Sequence, residues 1–279
     1  MIDRPVLRYH GGKFRIAPWV IEHFPPHRTY VEPFGGAAGV LLQKPRAYSE
    51  IYNDLDSDVV NFFQVLRDPA QLDRLLQACA ATPYARAEFE EAWEPADEPV
   101  ERARRLTIRA QMGFGSAGAT KGTTGFRIDT KREYETAQHL WALYPDAIAN
   151  AGQRLAAVLI ENRPAIAVMA QHDDPETLHF VDPPYVYSTR VMGAGKAGYY
   201  RHEMTDEQHV ELLEFLNTLT GMVVLSGYHS ELYDNRLQGW TRDETQARAS
   251  AGRGGVARTE VLWMNKSAIA GQDQQRLFA

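Results

Sequence analysis

The sequence predicts an α/β protein built on a largely parallel sheet, with a mostly helical segment inserted into it. Short apolar segments alternate with helical ones up to residue 68, helices predominate over residues 69–150, and the alternation returns after residue 151. One domain with a smaller insertion is an ordinary organisation for 279 residues. We therefore predict a sheet domain formed by residues 1–68 and 151–279 and a subdomain formed by residues 69–150.

The first part of the chain contains two predicted strands and two predicted helices. The strands cover residues 29–32 and 47–53, which are rich in residues that favour strands and are bounded by turn residues. A turn rich in glycine and alanine follows the first strand, and a helix is predicted to begin near Gly39. A further helix is predicted over residues 57–66, with Ser57 as its N-cap.

The middle of the chain is predicted to be helical over residues 69–80, 86–93, 100–112 and 133–143. A segment rich in glycine, serine and threonine, residues 113–125, interrupts these helices and is predicted to be a loop that is either mobile or ordered by a ligand. Residues 101–135 contain eight basic and four acidic side chains, a local excess of four positive charges. This excess favours either a patch that follows nucleic-acid phosphates or a solvated helix face.

Strands are predicted again over residues 158–161, 179–182, 222–226 and 259–264. Between the second and third of these lie a long loop over residues 186–205 and a helix over residues 206–219. The return of this alternation predicts that the last part of the chain completes the sheet that the first part begins.

Composition limits the class of protein. The net charge of −6 argues mildly against nucleic-acid binding, because proteins that bind phosphate backbones tend to be basic. The single cysteine, Cys79, excludes an internal disulfide and a cysteine-based zinc cluster, so no metal site is predicted. The first residues lack the apolar run of a secretory signal. We expect a soluble, cytoplasmic protein without a membrane segment that acts as a monomer.

The strongest chemical signal is the segment Asp182, Pro183, Pro184 and Tyr185, which follows a predicted apolar strand. A carboxylate and a main-chain carbonyl could accept both N–H bonds of an aromatic amine, whose lone pair is otherwise delocalised into the ring. The two prolines fix φ and make that carbonyl rigid, and the tyrosine could stack on a base taken out of a duplex. We predict that all four residues are catalytic; the alternative is a proline-rich turn with a helix-capping aspartate.

Motifs over most of the chain resemble those of the Dam-type DNA adenine-N6 methyltransferases. The motifs occupy residues 8–13, 31–39, 53–56, 182–185, 224–228 and 260–265. The resemblance implies a Rossmann-like sheet that binds S-adenosylmethionine and a target-recognition subdomain at residues 69–150. It also implies direct methyl transfer to N6 of an adenine flipped out of double-stranded DNA. Asp182 favours adenine, because cytosine-N4 enzymes usually carry serine there and enzymes that methylate glutamine usually carry asparagine.

The same resemblance implies a set of cofactor-binding residues: Tyr9, Gly12, Lys13, Glu32, Pro33, Phe34, Gly36, Asp54 and Asp182. Glycines after a strand allow a ligand to approach the backbone closely. Glu32 could face the ammonium of the methionine moiety, and Lys13 could pair with its carboxylate or be a solvated tail residue. Asp54 lies at a strand end that suits ribose hydroxyls, with helix capping as the alternative.

The chain departs from the family pattern at two places. Pro164 occurs where an acidic residue that contacts the cofactor adenine is often found, so Asn162 or a main-chain amide could serve instead. Ala37 and Ala38 stand where a glycine is usual, which predicts a slightly altered fit of the cofactor loop.

Candidate DNA contacts lie in the insertion and in the loop after the catalytic motif. Arg109, Lys121 and Arg127 are the first choices in the insertion, with Gln111 and Thr120 as further candidates for base recognition. Arg190 belongs to residues 188–200, which could close over the target base or be a disordered surface loop.

Residues Gln274–Phe278 resemble the short peptides that dock bacterial proteins onto the replicative sliding clamp, but such a short match favours a frayed tail. Three alternatives to DNA adenine methylation stay open. They are an RNA adenine methyltransferase, a methyltransferase for another amine, and a DNA-binding relative that has lost catalysis. The recognition sequence, and the choice between a restriction, phage or regulatory role, also stay open.

Overall fold

The computed structural model describes residues 2, 4–116, 118–119, 124–128, 136–189, 200–249 and 256–278. Within them, seven strands form one sheet in the order β3-β2-β1-β4-β5-β7-β6. The strands are β1 (Thr29–Glu32), β2 (Ser49–Asn53), β3 (Val158–Glu161), β4 (Thr177–Val181), β5 (Met222–Gly227), β6 (Thr241–Ala249) and β7 (Val256–Met264).

The predicted α/β class is confirmed by how these strands pair. Strands β1 to β5 are parallel, and β7 lies antiparallel between β5 and β6. Strand β1 has β2 on one side and β4 on the other, so the direction of winding reverses between β1 and β4. In an open α/β sheet, ligands bind at the carboxyl ends of the strands beside such a reversal.

Eleven helices are present among the described residues. They are α1 (Ala17–Glu22), α2 (Ser57–Arg67), α3 (Pro69–Ala81), α4 (Arg86–Glu91), α5 (Pro99–Met112), α6 (Ala137–Ala142), α7 (Tyr144–Leu155), α8 (Ala165–Gln171), α9 (Asp206–Leu216), α10 (Glu231–Arg236) and α11 (Lys266–Phe278). In this described part of the chain, no helix has the length and apolar character needed to span a bilayer.

Both faces of the sheet are covered, which explains why its central strands are buried on both sides. On one face, Val168 of α8 and Leu212 of α9 pack against Val181 in one hydrophobic cluster. On the other face, Phe62 of α2 shares a cluster with residues of the later helices, including Leu106 of α5. Helices α3 to α7 follow α2 in the chain and precede β3, so the inserted segment packs into the same core as the sheet.

The helix predicted near Gly39 is wrong. Residues 33–48, all of them described, form turns between β1 and β2. Gly36 and Ala38 have φ values of 47° and 53°, in the left-handed region, and these residues break the run of α-helical dihedrals that a helix needs. The backbone bonds from Leu42 to Ala38 and from Lys44 to Val40 close only isolated turns.

The predicted N-cap of α2 is also wrong by one residue. The cap is Asp56, whose extended backbone precedes the helix and whose side chain accepts a 3.0 Å bond from the Asp58 amide. An aspartate is as good a cap as a serine, so composition alone does not separate the two positions.

Candidate active site

A cleft enclosing about 940 Å³, including its open mouth, lies at the carboxyl ends of β1, β2 and β4. Its walls come from residues 9–13, 32–40, 54–56 and 200–204, together with Phe180, Asp182 and Pro184 from β4 and the segment after it. The structure brings all nine predicted cofactor residues to this cleft: Tyr9, Gly12, Lys13, Glu32, Pro33, Phe34, Gly36, Asp54 and Asp182.

The glycine-containing turn after β1 is shaped by two tyrosine rings. A Cβ on Gly35 would overlap the ring of Tyr52, and a Cβ on Gly36 would lie 3.0 Å from the ring of Tyr9. The Tyr52 hydroxyl donates a 2.7 Å hydrogen bond to the Gly36 carbonyl. These contacts hold the turn in its left-handed conformation, which Ala38 also adopts although it carries a Cβ.

Glu32 ends β1 and lines the cleft with only 3% of its surface exposed. One carboxylate oxygen, Oε2, accepts bonds from the Tyr30 hydroxyl at 2.6 Å and from the Leu41 amide at 3.0 Å. Burial raises the pKa of Glu32 to about 8, because these two donors offset only part of the cost of removing the charge from water. A cation bound in the cleft would favour the ionised carboxylate.

Asp54 follows β2 and forms the neighbouring part of the wall. Its two oxygens accept 2.8 Å bonds from the amides of Gly36 and Asp56. Burial raises its pKa despite these bonds. Asp54 therefore ties the glycine-containing turn to the start of α2, and the N-cap itself is Asp56.

Asn162 does not line the cleft. Its side chain is exposed and donates a 2.7 Å hydrogen bond to the Asp54 carbonyl, so it helps to fix the backbone of Asp54 from outside the cleft. Two apolar residues, Leu55 and Ala165, do line this part of the cleft, and Leu55 is 44% exposed. Apolar residues therefore form this part of the wall, and no acidic residue contributes to it from the position that Pro164 occupies.

Lys13 is not a solvated tail residue. It is 6% exposed, and its ammonium lies 2.9 Å from Oδ1 of Asp182 and 4.6 Å from the centre of the Tyr185 ring. It also donates a 3.0 Å bond to the Gly11 carbonyl. Burial lowers the pKa of Lys13, but Asp182 and Glu260 raise it by more, so the lysine is held protonated.

Asp182 directly follows β4, the strand next to β1, and lines the same cleft as Glu32 and Asp54. Burial raises the pKa of Asp182 to about 6, while Lys13 opposes that change. The carboxylate is therefore ionised at neutral pH. Pro184 lines the cleft beside it, whereas Pro183 and Tyr185 do not.

Tyr185 is 8% exposed, and its hydroxyl points away from solvent into a buried network. It donates a 2.6 Å bond to Glu260 on β7 and lies 3.1 Å from the hydroxyl of Ser226 on β5. The ring meets Tyr228 edge-on, with centroids 4.5 Å apart. A base could reach only the small exposed part of the ring in this arrangement.

The charge of the lining residues suits a cationic ligand. Five carboxyl groups face two permanent cations, so the excess is three negative charges once Glu32 is ionised: Glu32, Asp54, Asp56, Asp182 and Glu203 against Lys13 and Arg201. Burial raises the pKa of Glu32, Asp54 and Asp182, so each would gain from a nearby positive group. The sulfonium and ammonium of S-adenosylmethionine meet this requirement.

Of the predicted DNA contacts, Arg109 and Arg127 are described, and both are largely buried. Arg109 lies 3.4 Å from Asp58, donates a 2.7 Å bond to the Ala92 carbonyl and stacks over Trp93. Arg127 is 7% exposed. Lys121 and Arg190 lie outside the described residues, as do Thr120 and most of the loop over residues 188–200.

The basic stretch of α5 is largely neutralised within the protein. Arg102 pairs with Asp58 at 2.8 Å, and Arg104 and Arg105 each pair with Glu101 at 2.7 and 2.6 Å. These arginines therefore form neither a free basic patch nor a simple solvated face. The lysines and the arginine at positions 121, 131 and 132 lie outside the described residues.

Sequence analysis missed two features of the site. Arg201 pairs with Asp56 and Asp58 at 3.0 and 3.2 Å, and this places the segment over residues 200–204 along the cleft. Glu260 reaches Tyr185 from 75 residues away. The family resemblance had identified residues 260–265 only as a strand. The one feature of the sequence that could have indicated a role for Glu260 is its charge next to the apolar residues of that strand.

Comparison with known proteins agrees with this geometry. Residues 9–248 match the family model described as D12 class N6 adenine-specific DNA methyltransferase. The DNA adenine methylase of Escherichia coli strain K12 is 22% identical over 228 residues, 78% of this chain and 77% of its own length. That of Vibrio cholerae strain O395 is 23% identical over 272 residues, 93% of this chain and 94% of its own length.

Among solved structures, a SAM-dependent methyltransferase from Agrobacterium tumefaciens aligns with 91% of this chain and 61% of its own at 11% identity. The TM-score of 0.37 is too low to support an inference.

Proposed function

Because the chain belongs to the D12 class of N6 adenine-specific DNA methyltransferases, we propose that its cleft binds S-adenosylmethionine and that Asp182 holds the target adenine. The chain is thus a DNA adenine-N6 methyltransferase, and the proposal concerns which residues carry out the reaction. One observation carries it: Asp182, ionised and with a side chain only 16% exposed, lines the same cleft as the glycine-containing turn, Glu32 and Asp54.

The β1–β2 side of the cleft would hold the cofactor. Glu32 would accept the methionine ammonium, and Asp54 would accept ribose hydroxyls while keeping its bond to the Gly36 amide. Leu55 and Ala165, close to Asp54 in the lining, offer apolar contact for the adenine ring. Lys13 is already paired with Asp182, so we assign it to that carboxylate and not to the methionine carboxylate.

When bound, S-adenosylmethionine supplies an electrophilic methyl group whose sulfur leaves as a neutral thioether. Asp182 accepts one N–H bond of the adenine amine and thereby raises the electron density on that nitrogen. The rigid backbone at Pro183 and Pro184 would present a carbonyl to the second N–H. As the N–C bond forms, the nitrogen releases a proton, and Asp182 is the nearest base in the cleft.

DNA contact by Lys121 and Arg190 is proposed on sequence grounds. For Arg109 and Arg127 the burial favours a supporting role: the Arg109 side chain bonds to the Ala92 carbonyl, and the Arg127 carbonyl accepts a bond from Tyr84. The Tyr84 hydroxyl, which bonds to the Arg127 carbonyl at 2.7 Å, contributes to the same support.

The direct experiment is to express the protein in cells that lack adenine methylation and to map modified bases by long-read sequencing. We expect N6-methyladenine at one defined motif and none with Asp182→Ala. If Asp182→Ala modifies the genome as wild type does, the residue assignment fails. If soluble wild-type protein that binds S-adenosylmethionine leaves the genome unmodified, methyl incorporation into RNA would identify the RNA alternative.

Docking of residues Gln274–Phe278 onto a sliding clamp, and action as a monomer, also stay proposals. The backbone of this segment continues α11, so a clamp that binds an extended peptide would have to unwind the last turns. Deletion of residues 274–279 should abolish clamp binding measured by surface plasmon resonance while methylation continues. Unchanged clamp binding after the deletion would exclude this segment.

A further inference from the structure

The tyrosine of the catalytic segment is held by a buried carboxylate that the proposed chemistry does not use. Glu260 is 8% exposed and accepts the Tyr185 hydroxyl bond at 2.6 Å. Ser226, fully buried, places its hydroxyl 3.1 Å from the same atom. A buried carboxylate is costly unless it has charged or hydrogen-bonding partners, so its position needs an explanation.

The strand register places Glu260 at the catalytic edge of the sheet. Val261 of β7 pairs with Gly227, the last residue of β5, so Glu260 lies one residue beyond that pairing. Because β5 is parallel to β4, this end of β5 adjoins the end of β4 that leads to Asp182. Glu260 therefore stands behind the catalytic segment, on the side away from the cofactor wall.

The charges of Glu260 and Asp182 both act on Lys13. Lys13 is paired with Asp182, and its pKa is raised by both carboxylates. Glu260 also raises the pKa of Asp182 through its charge. Titratable groups from several elements interact electrostatically with Asp182: Lys13, Glu32, Tyr185, Tyr228, Tyr233 and Glu260.

We propose that Glu260 is a positioning residue for methyl transfer that holds Tyr185, and with it the catalytic segment beside Lys13 and Asp182, in place. The negative charge of Glu260 also raises the pKa of both Lys13 and Asp182, which supports a role beside this ion pair. This role rests on the proposed function of Asp182 and adds to it a residue that touches neither substrate nor cofactor.

Two substitutions separate the charge of Glu260 from its hydrogen bond. Glu260→Gln keeps an oxygen for the Tyr185 hydroxyl but removes the negative charge, so the pKa of Asp182 should fall. Tyr185→Phe keeps the charge of Glu260 but removes the hydroxyl that donates to it. The acid limb of the single-turnover rate should therefore move to lower pH in the first variant and stay near its wild-type position in the second.

We expect Glu260→Gln to reduce the single-turnover rate about 10- to 100-fold and to shift the acid limb by about 0.5 to 1 pH unit. The affinity for S-adenosylmethionine, measured by calorimetry, should change less than about twofold, since the cofactor wall is untouched. Glu244→Gln is the matched control: it removes an exposed carboxylate of the adjoining strand β6, opposite Val261, and should leave rate and pH profile unchanged.

If Glu260→Gln folds poorly, Glu260→Asp serves the same purpose, because it keeps the charge and shortens the reach to Tyr185. That variant should lose rate without moving the acid limb downward. A wild-type rate and limb in Glu260→Gln would overturn the proposal. Failure of the proposed function is distinguishable, because wild-type protein would then show no methyl transfer to DNA at any pH.

Discussion

On the β1–β2 wall of the cleft, main-chain amides supply most of the donors to the carboxylates, whereas on the β4–β7 wall side chains do so. Glu32 and Asp54 accept bonds from the amides of Leu41, Gly36 and Asp56, and Glu32 also accepts one from the Tyr30 hydroxyl. Asp182, by contrast, is paired with Lys13, whose pKa the charge of Glu260 also raises. Hydrogen bonds from main-chain amides hold a side chain in a defined position and add no net charge, whereas the strength of an ion pair depends on pH and on substitution of either partner. We infer that the first wall determines binding and the second determines the rate.

The largest effect that this comparison predicts is at Asp182. Asp182→Ala removes the acceptor for the adenine amine, so methylation should fall by more than about a thousandfold. Calorimetry should show cofactor affinity within about threefold of wild type, because the β1–β2 wall of the cleft is unchanged. A variant that methylates DNA at the wild-type rate would remove Asp182 from the chemistry.

Asp54 should show the opposite pattern. Asp54→Ala removes a charged acceptor from the cofactor wall, which should weaken S-adenosylmethionine binding about 10- to 100-fold. The rate at saturating cofactor should stay close to wild type, because Asp182 and Lys13 are untouched. Asp54→Asn keeps one acceptor and should weaken binding less. A large loss of saturated rate with normal affinity would contradict the division between the two walls.

Glu32 connects the binding wall to pH. Its pKa is about 8 in the empty protein, and a bound cation favours the ionised form, so binding should release a proton below that pH. We expect cofactor affinity to rise up to about tenfold per pH unit until pH 8 and to level off above it.

Calorimetry in buffers of different ionisation enthalpy measures the proton release. Glu32→Gln should bind more weakly with little dependence on pH; a slope like that of wild type would assign the proton to another group.

The same shift affects the stability of the empty protein. A carboxyl group whose pKa is raised on folding stabilises the folded state at low pH, and this contribution is lost as the pH rises through the folded pKa. For Glu32 the loss falls between its ordinary value of 4.5 and about 8. Bound cofactor should reverse this trend at the upper end of that window.

The smallest predicted effect is at Ala38, in the turn of the binding wall. Its φ of 53° is costly for a residue with a Cβ, so Ala38→Gly should raise the free energy of unfolding by about 0.5 kcal/mol. Denaturant unfolding measures this. Ala37→Gly, at a neighbouring buried position without a positive φ, should lower stability instead. A loss of stability in both variants would show that the turn does not strain Ala38.

Much of the sheet was predictable because the relevant signals are local. Thr29–Glu32 and Val158–Glu161 are observed as predicted, since apolar runs bounded by turn residues identify short strands. Strand β6 was missed because its first residues are charged, as in Arg242, Asp243 and Glu244, and have no apolar face that periodicity can detect.

The features that sequence did not predict depend on contacts between distant residues. The turn at Ala38 is imposed by tertiary packing that includes the rings of Tyr9 and Tyr52, which no local pattern shows. Arg109 was predicted to contact DNA, yet its partner Asp58 is 51 residues away. Charge along a sequence indicates a basic region, but only the fold decides which charges cancel.

The packing of α2 against the inserted helices constrains how the segment between α2 and β3 can be replaced. The Asn61 side chain bonds to the Pro99 carbonyl at 2.9 Å, and Asp58 binds Arg102 and Arg109 of α5. A foreign insertion transplanted between α2 and β3 would leave these α2 groups without their partners. Exchange of the whole segment should therefore disrupt the core, whereas point substitutions in its loops should leave these contacts in place.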